Sequence, residues 1–281
     1  MNILITGVSG FIGSELFKKL SWRGEKTSVY GINRSTESDN IFRTDLAERK
    51  AVESMIDTCK SKALSFDSLI HCAGILATSD NCRDIKLLYD NLKITENIIL
   101  IASSLGIKNV IHLSTIGVYP NIDGIYDELS VTKPSSNAEG LYGVAKLTSE
   151  NLFDFYLLPL HINVSHLRLA QVYGTEMRND RIMKIMEAEM LTEGKISVWG
   201  NGERVSNFVF IDDVLTTIEH FINFPSPGIF NVGGKNLNYL ELAELVIKMH
   251  NKAGVKILKV DKGVKAKVYI NSDKLINLLK H

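Results

Sequence analysis

Three glycines set three residues apart, between an apolar run and an amphipathic one, constrain this chain most. Asn2-Ile3-Leu4-Ile5-Thr6 reads as a short buried strand, and about Phe11 to Trp22 reads as a helix. Thr6-Gly7-Val8-Ser9-Gly10-Phe11-Ile12-Gly13 must turn the chain between them. Glycine lets the backbone turn tightly and approach an anion, and the helix start offers unpaired N–H groups at the positive end of its dipole. In this strand–turn–helix setting the G-x-x-G-x-x-G pattern predicts a pyrophosphate cradle of Gly7, Ser9, Gly10, Phe11, Ile12 and Gly13.

The order of elements beyond the loop fixes the fold class. Strands are predicted at Thr27 to Gly31, Ser68 to Cys72, Asn109 to Leu113 and Ile162 to Leu167. Helices are predicted over Glu48 to Lys62, Ile85 to Leu105 (with Gly106 past its end) and Gly140 to Leu157. Such alternation with short connections predicts an α/β protein: a Rossmann-type doubly wound parallel sheet with a smaller C-terminal substrate lobe. The first domain is expected over 1–170 and re-entered at about 203–235. The lobe is expected over 171–202 and 236–281.

At 281 residues the chain is long enough for this arrangement. Hydrophobic content of 45% and charged content of 23% are ordinary for a soluble protein. Zero formal net charge gives no general affinity for nucleic acid or anionic membrane, so any anion site is local. Apolar stretches are interrupted before they reach a membrane span, and the N-terminus lacks a signal-peptide pattern. Cys59, Cys72 and Cys82 lack metal-ligand spacing and read as free thiols in a reducing cytosol. The histidines carry no paired-ligand spacing, so no metal site is expected.

The second predicted strand ends Gly31-Ile32-Asn33-Arg34-Ser35. An acid about twenty residues past a dinucleotide loop binds the adenosine ribose of NAD. Here Asn33 stands instead, followed by Arg34 and Ser35, which suit a 2′-phosphate. That favours NADP(H), with NAD the alternative; a solvated Arg34 is the plain reading. Asp45, beside Leu46, offers a carboxylate to the adenine amine or caps the next helix.

Tyr142-Gly-Val-Ala-Lys146 places a phenol and an ammonium one helical turn apart on one face. The ammonium favours the phenolate, which tunes the tyrosine for proton exchange with a sugar or alcohol oxygen. Ser114 and Thr115, at a strand end, both offer a hydroxyl to the same oxygen.

In order, T-G-x-x-G-F-I-G at Thr6 to Gly13, His71-Cys72-Ala73-Gly74, Ser114-Thr115-x-x-Val118-Tyr119 and Tyr142-x-x-x-Lys146 run along the chain. Arg168 to Gly174, Gly200-Asn201-Gly202 with Phe208 to Val214, and Phe230 to Gly233 follow. Together they resemble the extended short-chain dehydrogenase/reductase family, in its branch of NAD(P)-dependent nucleotide-sugar epimerases, dehydratases and reductases. The resemblance implies Tyr142 as acid/base, Lys146 on the nicotinamide ribose, and Thr115 on the reacting sugar oxygen. It also implies that Cys72, Ala73, Gly74, Asn91 and Leu169 line the cofactor groove, and that Gln171 lies by the sugar diphosphate. Asn91 to Ser104 and Tyr142 to Tyr156 would form a four-helix homodimer interface.

Three departures narrow the expectation. Family dehydratases follow the threonine with Asp-Glu, whereas Ile116-Gly117 stand here, which speaks against 4,6-dehydration. Gln171 replaces an asparagine. Ser206 replaces an arginine that grips substrate phosphates; Arg204, two residues earlier, is a candidate substitute, or a surface charge. The expected function is reduction of a 4-keto nucleotide sugar by NADPH. A 4-epimerase with retained NAD is the alternative, and a non-catalytic NAD(P)-binding regulatory protein is the reading from another class.

Overall fold

The computed structural model describes residues 1–22, 27–137 and 140–280. In its first half β1 (Asn2–Thr6), α1 (Phe11–Ser21), β2 (Ser28–Asn33), β3 (Ile41–Arg43), α2 (Arg49–Ser61) and β4 (Ser68–His71) are followed by α3 (Ile85–Ser104), β5 (Asn109–Thr115), β6 (Gly124–Tyr126) and α4 (Gly140–Leu157). The second half contains β7 (Asn163–Leu169), β8 (Gln171–Tyr173), α5 (Ile182–Glu193), β9 (Lys195–Trp199), β10 (Val205–Phe210) and α6 (Ile211–Asn223). It closes with β11 (Gly228–Val232), β12 (Lys235–Asn238), α7 (Tyr239–Met249), β13 (Lys256–Val260), β14 (Val268–Ile270) and α8 (Asp273–Leu278).

Seven strands make a parallel sheet in the order β11-β7-β5-β4-β1-β2-β3, the expected doubly wound arrangement. The chain moves outward from β1 through β2 to β3, then starts again at β4 on the other side. That reversal opens a crevice beyond the carboxyl ends of β1 and β4, where ligands bind in such sheets. The central strands read as unbroken apolar runs because helices cover both faces. Ile3, Leu4, Ile5, Leu69 and Ile70 are fully buried. On one face Ile56, Ile98, Ile101, Val110, Phe153 and Val164 belong to a single core cluster with Leu4 and Leu69.

The chain divides into two compact units. The first comprises Met1–Pro120, Thr132–Arg168 and Leu215–Phe230; the second comprises Asn121–Val131, Leu169–Val214 and Asn231–His281. The sequence reading gave a longer re-entry, about 203–235, and left 121–131 with the first domain. Those short pieces join the second unit through pairing that hydropathy does not reveal: β6 pairs with β14, and β10 with β8 and β12. The second unit has its own core, in which Met186, Met190, Ile196, Val198, Phe208 and Leu242 pack together.

The glycine loop is close-packed backbone. Gly7 adopts φ +72°, and a Cβ there would lie 2.9 Å from the Ala73 backbone. A Cβ on Gly13 would lie 2.2 Å from the Gly7 carbonyl oxygen, whereas one on Gly10 would stand 3.3 Å away. Helix α1 can therefore seat against β1 only if Gly13 has no side chain. We expect Gly13→Ala to destabilise the protein by about 1–3 kcal/mol, as overpacking does, and Gly10→Ala to cost clearly less. Urea unfolding of the two variants checks the order.

Candidate active site

The site in the first unit is assembled from the ends of β1, β2, β4 and β5 and from helices α1, α3 and α4. Around the crevice, Thr6 Oγ1 accepts from the Ala73 N–H at 3.1 Å and bonds His71 Nδ1 at 3.0 Å. Helix α1 has Gly10 as its N-cap, with no side-chain cap hydrogen bond, so no capping side chain occupies its N-terminal end. A cradle whose glycine hydrogens occupy the only space available, next to an open helix N-terminus, fits a pyrophosphate.

At the end of β2 the carboxamide of Asn33 is committed to its own turn. Its Oδ1 accepts from the Ser35 N–H at 2.9 Å and the Thr36 N–H at 2.8 Å, and its Nδ2 donates to Thr36 Oγ1 at 2.7 Å. Arg34 and Ser35 are exposed on this turn while Asn33 is buried. Asp45 Oδ1 accepts from the Ala47 N–H at 3.0 Å. Helix α2 starts later, at an N-cap of Glu48, so Asp45 shapes a preceding turn rather than capping the helix. The Leu46 carbonyl accepts from Asn97 Nδ2 at 2.9 Å.

Beyond β4, Asn91 on α3 clamps the chain after Gly74. Its Oδ1 accepts from the Ile75 N–H and its Nδ2 donates to the Ile75 carbonyl, both at 3.0 Å. A Cβ on Gly74 would stand 3.4 Å from Asn91 Oδ1 and 3.6 Å from Lys146 Nζ. Gly74, Asn91 and Lys146 thus converge.

Helix α4 brings the phenol and the ammonium together. Lys146 Nζ lies 5.9 Å from the centroid of the Tyr142 ring and donates to the Leu113 carbonyl at 2.8 Å. Burial pushes the Lys146 ammonium down to about 8, against the opposing influence of Cys72 and Glu150. Burial likewise pushes the Cys72 thiol up to about 12. His71 and His112 are held well below the usual imidazole range, first by burial and then by the Lys146 charge. These two rings stack 5.7 Å apart, and His112 bonds His166 at 3.1 Å, so they are packed, neutral groups.

The structure separates the two competing hydroxyls. Ser114 is buried and donates to Glu150 Oε1 at 2.5 Å. Thr115, the last residue of β5, points the other way by strand alternation. Its Oγ1 accepts from the Gly117 N–H at 3.0 Å, which leaves the hydroxyl proton to donate. Sequence reasoning overlooked Glu150, which takes the Ser114 bond and pairs with Arg168 through two further bonds. Its spacing was the available signal: 142, 146 and 150 form one stripe at i, i+4 and i+8.

The remaining candidates lie in the second unit. Leu169 is buried, and Gln171 is paired with Phe208 in register. Arg204 stands one residue before β10, so strand alternation from Ser206 does not reach it. Its guanidinium lies over the Tyr239 ring at 5.4 Å, and its buried Nε lacks a hydrogen-bond partner among the described residues. Ser206 is buried within β10.

A sequence model described as the NAD dependent epimerase/dehydratase family matches residues 3–233. The chain belongs to this family. It is 28% identical to a dTDP-6-deoxy-L-talose 4-dehydrogenase (NAD(+)) of Aggregatibacter actinomycetemcomitans, over 89% of this chain and 91% of that protein. It is 24% identical to a dTDP-4-dehydro-6-deoxy-D-allose reductase of Streptomyces sp, over 88% of this chain and 80% of that protein. It also matches a dTDP-D-glucose 4,6-dehydratase of Dictyostelium discoideum at 22%, over 88% of this chain and 62% of that longer protein. Among solved structures, a Thermus thermophilus UDP-glucose 4-epimerase in complex with NAD superposes with a TM-score of 0.82 at 21% identity. That match covers 100% of this chain and 94% of the epimerase, and it shows the shared fold.

One consequence of the buried Lys146 can be measured without substrate. Its folded pKa of about 8 lies below the ordinary lysine value of 10.5, so the folded protein releases this proton first as pH rises. Folding stability from this group therefore increases between pH 8 and 10.5, by about 3 kcal/mol in all. We expect wild type to gain that much on Lys146→Met between pH 7 and 10.5 in denaturant titrations. Parallel curves would contradict it.

Proposed function

We propose that the protein is an NADPH-dependent reductase acting on the C4 carbonyl of a nucleotide-activated 4-keto-6-deoxy sugar. The observation that carries this reading is the end of β2. Asn33 replaces the acid that would bind a ribose 2′-OH, its carboxamide is occupied by its own turn, and the exposed Arg34 stands beside it. When bound, the dinucleotide supplies the hydride. In this reading Tyr142 gives the proton to the carbonyl oxygen, and the Lys146 ammonium stabilises the resulting phenolate. Thr115 donates a hydrogen bond to the same oxygen, because its own acceptor capacity is engaged by Gly117. Ile116-Gly117 follow Thr115 where dehydratases carry Asp-Glu, so the site has no pair to eliminate water across C5–C6.

The family resemblance makes Gly7, Ser9, Gly10, Phe11, Ile12 and Gly13 the diphosphate cradle of the cofactor, with Ala73, Gly74, Asn91 and Leu169 along its groove. Gln171 and Arg204 are proposed to meet the sugar nucleotide, which assigns the second unit to substrate binding. A second reading, a 4-epimerase that keeps its NAD, draws support from the NAD complexes of 4-epimerases with the same fold. A homodimer through the outer face of α3 and α4 is also proposed. A groove there is lined half by Tyr89, Leu92, Ile99, Leu100, Leu152 and Tyr156 and half by charged and polar side chains such as Arg49, Lys86, Asp90, Lys93 and Glu96; sedimentation as a monomer would remove that part.

NADPH oxidation against a panel of nucleotide 4-keto sugars tests the main reading. We expect turnover that Tyr142→Phe lowers about 10²–10⁴-fold, the usual worth of a positioned acid. Asn33→Asp should move preference toward NADH by at least about tenfold, since its charge repels a 2′-phosphate. Co-purified NAD that persists without NADPH consumption would instead select the epimerase.

A further inference from the structure

Glu150 is a carboxylate in the core of the first unit, 3% exposed, on the same stripe of α4 as Tyr142 and Lys146. Arg168, on β7 and 2% exposed, meets it fork to fork: Nε donates to Oε1 at 3.0 Å and Nη2 to Oε2 at 2.7 Å. Arg168 Nη1 donates to the Tyr119 hydroxyl at 3.0 Å, and its guanidinium lies 5.1 Å from that ring. Ser114 donates to Glu150 from β5. Burying such a pair costs desolvation, so well-packed apolar residues would serve stability as well.

The pair lies at one end of a ladder of contacts between α4 and the end of β5. At successive turns of the helix, Gly143 sits against the Gly117 carbonyl, where a Cβ would come within 2.5 Å. Lys146 then donates to the Leu113 carbonyl, and Glu150 accepts from Ser114. Leu113 and Ser114 directly precede Thr115. The same ladder that ties the end of β5, which carries Thr115, to the helix that carries Tyr142 therefore terminates in a carboxylate one turn from Lys146.

We propose that Glu150, oriented by Arg168, is a positioning residue of this active site: it registers the Thr115 strand end against the Tyr142 helix and is the counter-charge that keeps buried Lys146 protonated. The inference rests on the reductase reading. The groups around Lys146 leave this task to Glu150. His71 and Cys72 at the end of β4 and His112 on β5 are neutral near pH 8, the thiol because its burial pushes it up to about 12. Tyr142 on the same helix is the proton donor. From β7, His166 bonds Asp154, and the Arg168 cation faces Glu150 itself. Among the described residues, Glu150 is thus the carboxylate that acts on the ammonium.

The test compares wild type, Ser114→Ala, Glu150→Gln and the double variant Glu150→Gln/Arg168→Met, reading kcat and NADPH affinity (by fluorescence quenching) against pH. Glu150→Gln leaves Arg168 uncompensated, so the alkaline limb of both profiles should move to lower pH by about one unit, the smaller end of what one neighbouring charge does. The double variant, which removes both charges and so keeps a foldable core, should shift in the same direction but less. Ser114→Ala should lower kcat with NADPH affinity and the limb unchanged. Limbs unmoved in both Glu150 variants would overturn the proposal. Turnover of no sugar in the panel would sink the reductase reading alone, because the NADPH-binding limb still reports on Glu150.

Discussion

Everything in the first unit depends on the approach of helix α1 to strand β1, where the hydrogen on Gly13 Cα faces the Gly7 carbonyl with no space for a methyl group. That contact sets the entry angle of the helix, and the angle aims its open N–H groups into the crevice between β1 and β4. The second close approach, Gly7 against Ala73, fixes the distance between the two strand ends that flank the crevice. Two backbone contacts without side chains therefore define the space in which a dinucleotide fits, and the remaining residues are arranged around it.

The end of the candidate site that holds Tyr142 and Lys146 follows the same logic one strand further on. Helix α4 is placed by backbone packing at Gly143 and by two buried polar ties, one from Lys146 and one from Glu150. Burial makes these ties selective. A lysine whose ammonium is disfavoured by desolvation has few stable positions, and the Leu113 carbonyl supplies one of them. His71 and His112 behind it, stacked on each other and edge-on to Phe153, contribute shape and hydrogen bonds without adding charge.

The doubly wound sheet was legible because its strands are buried on both faces and its helices are long. Apolar runs at Asn2 to Thr6 and Ser68 to Cys72, and the unbroken periodicity of Gly140 to Leu157, fix element type with little ambiguity. The short strands Ile41–Arg43, Gly124–Tyr126, Gln171–Tyr173 and Val268–Ile270 were not legible. Three residues cannot display a period, and such segments become strands only through partners distant in sequence. In the site, Tyr142, Lys146 and the glycine loop were visible as local spacings. The choice of Thr115 over Ser114 could be made from sequence only by resemblance; what the sequence could not display is that Ser114 is engaged by Glu150 while Thr115 Oγ1 takes the Gly117 N–H. Glu150 escaped notice, and Arg168 was visible only as the start of a motif, because a lone carboxylate and a lone guanidinium acquire their meaning as a pair only once the fold buries them together.

Helix α1 begins without a side-chain cap, in contrast to α3 and α7, which Asp84 and Asn238 cap with their own oxygens. Its first turn therefore has no capping side chain to displace if an outside acceptor binds there. A guest that binds there completes the hydrogen bonding of the host, so binding free energy and folding free energy are drawn from the same groups. The abundance of this protein in a cell would then follow the supply of its dinucleotide: molecules short of it spend more time open to proteases, and a well-filled nucleotide pool lengthens their life.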